Sequence, residues 1–190
     1  MKRAFTLIEL MVAVGILALL LSLAFSMFNM GNLGLDTSRI QLRLQQEARR
    51  GMEAMVRDLY QASATNLTVD LIGNRVIFKV PVVVSPDTDI YDENGNIRWG
   101  AEGNANHSIR YSREGSSRQL IREIIDDATN NVITTVVCAN NLQQLRLRRF
   151  PNPPQQIRGL IITITCQKYL RGNSGTQLSA ELESQVSFRN

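Results

Sequence analysis

The pattern of hydrophobic positions begins with one long uncharged run. From Leu10 to Phe28 no residue is charged. As a helix this run is ~28 Å long, close to the thickness of the hydrocarbon core of a bilayer, so it predicts a membrane-spanning helix. Lys2 and Arg3 precede the run. The positive-inside tendency therefore predicts a cytoplasmic N-terminus and an extracytoplasmic remainder.

A second pattern follows the apolar run. The GNLG stretch at residues 31–34 contains poor helix formers and predicts a bend or local melting. Beyond Leu35, apolar residues recur at spacings of three and four, which predicts an amphipathic helix with one buried stripe. Acidic residues interleave with the arginines, so packing against a sheet is favoured over lying on a membrane surface. The stripe consists of Ile40, Leu44, Ala48, Met52, Met55, Leu59 and Ala62.

The sequence pattern changes again beyond Thr65, to short β-rich runs separated by Gly, Asn, Asp and Pro. About nine strands are predicted there. One long N-terminal α-helix followed by many strands is an α+β plan. We expect the first half of the helix to be transmembrane and the second half to pack on an antiparallel β-sheet domain. The runs are NLTVDLI, RVIFKVPVVV, NIRW, SIRYS, QLIREI, VITTVV, LQQLRLRRF, GLIITITC and QVSFRN.

Glu9 stands at the start of the apolar run. A carboxylate inside a membrane helix costs on the order of 2.5–3.5 kcal/mol at the helix centre and usually marks function. Ala24-Phe25-Ser26 has the small-x-small pattern of a signal peptidase site, and a conventional secretory signal would be cut directly after it. The very short basic region and Glu9 argue against that alternative.

The series KRA-FTLIEL-MVAVGILALLL resembles the signal of type IV prepilins and type II secretion pseudopilins. The resemblance implies that a prepilin peptidase cuts between Ala4 and Phe5 and that Phe5 is then N-methylated. Glu9 would be the fifth residue of the mature chain, a position that serves subunit assembly in this family. Its carboxylate could pair with the Phe5 amine of a neighbouring subunit, where a low dielectric strengthens the attraction. The family has Gly where Ala4 stands, so we expect cleavage at a reduced rate.

The resemblance implies the pilin fold, with a prepilin leader at 1–4, a transmembrane and assembly helix at 5–30, its amphipathic continuation at 31–64 and an extracytoplasmic β-rich domain at 65–190. The later segments are similar to minor pilins of the W type and minor pseudopilins of the J type. A subunit of this kind lies in the inner membrane with a periplasmic C-terminal domain, and later in a pilus or pseudopilus. Its partners would be other minor pilins or pseudopilins, a major pilin, the prepilin peptidase and the inner-membrane assembly platform. A major pilin and a membrane-anchored periplasmic binding domain remain as alternatives.

Charge and cysteine content add little specific chemistry. The formal net charge is +4, and removal of Lys2 and Arg3 leaves +2. The remaining arginines are scattered rather than clustered, which argues against nucleic acid as a partner. The sequence has an even number of cysteines, Cys138 and Cys166, and both lie in a segment predicted to face an oxidising compartment. This predicts a disulfide between them. Two buried thiols are the alternative.

One acidic stretch, SPDTDIYDENGNIRW, is a calcium candidate through Asp87, Asp89 and Asp92. The spacing of a calcium loop with a terminal Glu is missing, so a β-hairpin with a type I′ turn at Asn94-Gly95 is favoured. The acidic pair at 126–127 is predicted to form a turn. His107 is the only histidine in the sequence, and no acid–base or nucleophilic constellation can be assembled. We therefore expect neither an enzyme nor a cofactor.

Overall fold

The computed structural model describes residues 6–70, 72, 74–84, 89–150, 159–169 and 177–188. The chain divides into two compact units, Met1–Ile40 and Gln41–Asn190. Helix α1 is continuous from Leu7 to Leu59. The predicted melting at residues 31–34 is therefore wrong. Each glycine costs a helix only about 1 kcal/mol relative to alanine, which strong helix formers on both sides can offset.

Among the described residues of the second unit, every strand pair is antiparallel and the strands form three sheets. The five-stranded sheet has the order β1-β2-β5-β6-β7, the three-stranded sheet the order β10-β9-β8, and β3 pairs with β4. The predicted α+β class is confirmed. The strands are β1 (Leu67–Asp70), β2 (Arg75–Phe78), β3 (Val80–Pro81), β4 (Trp99–Gly100), β5 (His107–Glu114), β6 (Gln119–Asp126), β7 (Val132–Ala139), β8 (Leu142–Phe150), β9 (Gly159–Tyr169) and β10 (Gln177–Ser187).

The core lies between the second half of α1 and the sheets. The predicted stripe of α1 is confirmed, because it is buried from Leu44 onward and Ile40 is half-buried. Gly51 lies on this stripe, at a close approach of the helix to the strands. A Cβ at this position would stand 2.9 Å from Leu120 Cδ2 and 3.0 Å from Ala139 Cβ. The glycine therefore sets how closely α1 packs on the five-stranded sheet.

Strand β10 is longer than the sequence pattern predicts. Only QVSFRN was expected as its strand, yet β10 begins at Gln177 and pairs with β9 along its whole length. The added residues include Ala and two Glu, which favour helices in isolation. Pairing with the buried strand β9 overrides that local preference.

Candidate functional site

The start of α1 is closed by a reciprocal pair of side chains. Thr6 Oγ1 accepts a hydrogen bond from Glu9 N at 3.2 Å. In return, Glu9 Oε2 accepts from Thr6 N at 3.0 Å and from Thr6 Oγ1 at 3.1 Å. This is a capping box, in which a Thr N-cap and a Glu three residues later satisfy each other's backbone donors. Thr6-x-x-Glu9 is also the sequence signature of this motif, and it could have predicted the cap.

The residues that follow present an exposed apolar surface on all sides of the helix. The large side chains between Leu7 and Met30 are 55–75% exposed. Among the described residues, α1 is long and apolar enough to cross a membrane, and its most apolar stretch is not buried at all. A core helix of a soluble domain would bury much of such a surface. Exposure of this extent fits contact with lipid or with other helices.

Two polar features inside the apolar run are satisfied locally. Ser22 Oγ donates to Ala18 O at 2.9 Å, which removes the need for a partner outside the helix. Glu9 has its capping bonds to Thr6. The predicted cleavage and methylation positions, Ala4 and Phe5, lie outside the described residues.

The predicted calcium candidate forms a hairpin. Asp92 Oδ1 accepts from Asn94 N at 2.9 Å and from Asn96 N at 2.8 Å, so this carboxylate organises the turn. No group of three or more metal-ligating side chains occurs in the part of the chain that the structure describes. Asp89 accepts from Tyr91 N, and Asp87 lies outside the described residues. The hydrogen bond from Asn96 N holds the pKa of Asp92 below its ordinary range.

The type of that hairpin differs from the prediction. Gly95 has φ +79 and donates to Asp92 O at 3.0 Å. Asn94 is not among the residues of positive φ, whereas a type I′ turn needs positive φ at both central positions. The hairpin is therefore confirmed and the type I′ turn is wrong. The predicted turn at 126–127 is present, with Asp126 Oδ1 accepting from Ala128 N and Thr129 N.

Cys138 and Cys166 are free thiols in this structure, so the predicted disulfide is not part of it. Cys138 lies in β7 of the five-stranded sheet, whereas Cys166 lies in β9 of the three-stranded sheet. Burial raises the pKa of both thiols, that of Cys166 to about 11.

A buried polar cluster at the end of α1 was not foreseen from the sequence. Asp58 is 9% exposed, and its Oδ2 accepts from Tyr111 Oη at 2.9 Å and from Arg122 Nε at 2.7 Å. Arg122 also reaches Glu102 at 3.4 Å. Burial, and then the Asp58 carboxylate, raise the pKa of Tyr111 well above its ordinary value. The cluster ties the last turn of α1 to strands β5 and β6.

The comparisons with known proteins agree with the N-terminal features. The family model for the prokaryotic N-terminal methylation motif matches residues 1–25. No curated protein and no solved structure matches the chain at a significant level. The matched segment contains Glu9, its cap Thr6 and most of the apolar run. The match supports a type IV pilin-like or pseudopilin protein held in a membrane by its N-terminal helix.

Proposed function

We propose that the chain is a minor pilin or pseudopilin. It enters the inner membrane through α1, with the β-rich domain in the periplasm. A prepilin peptidase then cuts between Ala4 and Phe5, and Phe5 is N-methylated. The mature subunit joins a tip or initiation complex that primes assembly of a type IV pilus or a type II secretion pseudopilus. The observation that carries this proposal is the match of the methylation motif to residues 1–25, of which the residues from Leu7 onward lie on an exposed apolar helix.

The capping box suits this proposal because it forms at the new N-terminus. After cleavage Thr6 is the second residue and Phe5 supplies a cationic amine. The Glu9 capping bonds both go to Oε2, and Oε1 takes part in neither of them. One carboxylate can therefore hold its own first turn and also accept from the amine of a neighbouring subunit. Loss of such a desolvated pair leaves a buried charge and costs about 3–5 kcal/mol.

The minor role rests on the resemblance of the later segments to W-type and J-type subunits. The alternative, a major pilin that forms the body of the fibre, differs from a minor subunit in its copy number. A minor subunit should be present at far fewer copies than the principal subunit of its fibre. Quantitative mass spectrometry of sheared fibres or isolated complexes separates the two roles.

The test of the assembly role uses two substitutions that divide the functions of Glu9. Glu9→Gln keeps a capping partner for Thr6 but removes the charge, since Glu and Gln both serve in a capping box. Glu9→Leu removes both. If the charge pairs with a neighbour, both variants should insert in the membrane, keep a folded β-rich domain and fail to enter assemblies. Leader cleavage and membrane level serve as controls for each variant.

Each of two results would contradict one part of the proposal. Normal incorporation of both variants would remove the charge pair and leave Glu9 as a helix cap. A membrane-anchored binding domain would behave differently at an earlier step. When prepilin peptidase is blocked, a pilin-like subunit keeps Lys2 and Arg3 and loses assembly, whereas a simple anchored domain is unaffected.

A further inference from the structure

Strand β7 is an edge strand of the five-stranded sheet and carries no charged residue. Its large apolar side chains are roughly half exposed. They are Val132 at 45%, Ile133 at 50%, Val136 at 46% and Val137 at 47%. A long, uncharged and apolar edge presents unpaired backbone groups to any extended chain that approaches. Proteins normally protect such an edge.

The other edge strands of the two larger sheets are protected by charge. Strand β1 is four residues long and ends in Asp70, which pairs with Arg75 at 2.8 Å. Strand β10 carries the exposed residues Glu181 and Glu183, and β8 carries three arginines at 146, 148 and 149. Within the described residues, β7 alone among these four edges lacks a charge. The contrast indicates that β7 is covered in the working state of the protein.

The geometry of β7 specifies what can cover it. Val136 is opposite Arg122 and Val137 is opposite Ile121, so their side chains point to opposite faces of the sheet. Both are exposed to nearly the same extent. A helix laid on one face would bury only one of the two. A strand added at the edge contacts both faces and satisfies the open backbone groups as well.

The register limits the length of that contact. Irregularities interrupt the pairing of β6 with β7 between Leu120 and Ile121 and between Ile124 and Ile125. Between them, residues Thr134 to Val137 pair regularly with β6. Bulges bend a strand and locally end its pairing. An added strand would therefore engage a central stretch of four residues, Thr134–Val137.

A second copy of this chain does not suit the site. Antiparallel pairing of two β7 strands requires a two-fold axis normal to the sheet. Residues 41–59 of α1 pack on this sheet, so such an axis would reverse the helix direction in one copy. Parallel pairing would place the two helices on opposite faces of the joined sheet. In neither arrangement do residues 41–59 of the two copies run in the same direction on the same face of the joined sheet.

We propose that β7 docks an uncharged extended segment of a different pilin-like subunit, which adds as a strand along Thr134–Val137. This inference rests on the proposed function, because it takes the partner from the same assembly. Main-chain hydrogen bonds supply affinity, and the exposed Val side chains select small or β-branched neighbours. The docked strand joins the two periplasmic domains while the N-terminal helices pack separately.

The first test adds a charge to the edge in the full-length chain. Thr135→Lys places a cation beside Glu123 on the neighbouring strand, so the fold should tolerate it. Incorporation into assemblies should fall by about tenfold or more, because the Lys would place a charge beside the apolar side chains of the docked strand on the same face. Gln185→Lys, on the exposed edge of β10, is the matched control and should incorporate normally. Thermal unfolding checks that both variants are folded.

The second test identifies the occupant directly. A photo-crosslinking residue replaces Thr135, with the same residue at Gln185 as the control. The expected product is an adduct of position 135 with an extended segment of another pilin-like subunit. Adducts only with a second copy, or no adduct, would overturn the inference. Normal incorporation of Thr135→Lys overturns strand docking alone, whereas a wild-type chain that enters no assembly and gives no adduct overturns the proposed function too.

Discussion

Thr6 and Glu9 cap each other at the first turn of α1, with Thr6 Oγ1 accepting from Glu9 N at 3.2 Å and Glu9 Oε2 accepting from Thr6 N at 3.0 Å. The pair lies directly after the proposed cleavage point. A carboxylate that would be costly in the apolar run therefore has a local role before any partner arrives. This arrangement gives Glu9 two separable roles, capping its own helix and meeting the amine of a neighbour.

The capping role predicts the effect of changing Thr6. Thr6→Val removes the hydroxyl and should destabilise the first turn by about 1 kcal/mol, whereas Thr6→Ser keeps the cap. Hydrogen exchange of the first-turn amides in detergent should accelerate in the Val variant only. Assembly should weaken less than with Glu9→Gln, because the charge is still present. Equal exchange in the two variants would contradict the capping role.

The close approach at Gly51 predicts a second effect. Gly51→Ala gains about 1 kcal/mol of helix propensity, but overpacking a core costs about 1–3 kcal/mol. Leu120 Cδ2 can move aside, whereas Ala139 Cβ is fixed to the backbone of β7. Overpacking should win, with a net loss of about 1 kcal/mol in the free energy of unfolding.

Gly34→Ala is the matched control for Gly51→Ala on the same helix. No atom lies within 4 Å of a Cβ built at Gly34. This control should not lower the stability of the β-rich domain in denaturant unfolding. Unchanged or higher stability of Gly51→Ala would contradict this prediction, because it would mean that α1 and the sheet make room for the added methyl group without a loss of stability.

The main features of the fold could be predicted because they depend on local patterns. The spacing of apolar residues from Leu44 onward defines the buried stripe, and alternation in LQQLRLRRF defines β8. Features that depend on distant partners could not be predicted. Asp58 and Arg122 are 64 positions apart, and no local pattern pairs them. The first residues of β10 become a strand only because β9 lies beside them.

The candidate site divides in the same way. The N-terminal motif is local and specific, and it led to Glu9 from the sequence alone. The Thr6 partner carried the signature of a capping box and could also have been found. The exposed edge of β7 depends on sheet order, which strand patterns do not give.

The buried cluster predicts a loss of stability in Tyr111→Phe. This change removes a hydrogen bond to the Asp58 carboxylate, and bonds to charged groups contribute about 1.5–3 kcal/mol. Arg122 still pairs with Asp58, so the loss should lie near the lower end of that range. Tyr60→Phe is the control, since Tyr60 is 64% exposed and should tolerate the change. Equal stability of the two variants in urea would contradict the cluster's role.

Tyr111 should also shape the alkaline limit of stability. Its raised pKa means that the folded state holds this proton more tightly than the unfolded chain does. The contribution is fully present below pH ~10 and is lost as the pH rises above that value. Tyr111→Phe should therefore lose stability less steeply than the wild type above pH ~10. The Tyr60→Phe control should keep the wild-type slope in the same titration.

The two cysteines should be recovered as free thiols. Both should be alkylated after unfolding without reductant, as judged by peptide mapping. In the native protein Cys138 should react before Cys166, because Cys166 is fully buried. Burial raises the pKa of both thiols, so native reaction at neutral pH should be slow. A linked pair of peptides containing Cys138 and Cys166 would contradict the structure.

The most direct measurement is the N-terminus of the mature chain. We expect that protein purified from the membrane begins at Phe5 and carries one N-terminal methyl group. Intact mass and N-terminal peptide sequencing determine both, and a strain lacking prepilin peptidase activity provides the uncut control. A chain that begins at Met27, after the Ala-Phe-Ser site, or that keeps Lys2 and Arg3 when the peptidase is active, would contradict the account.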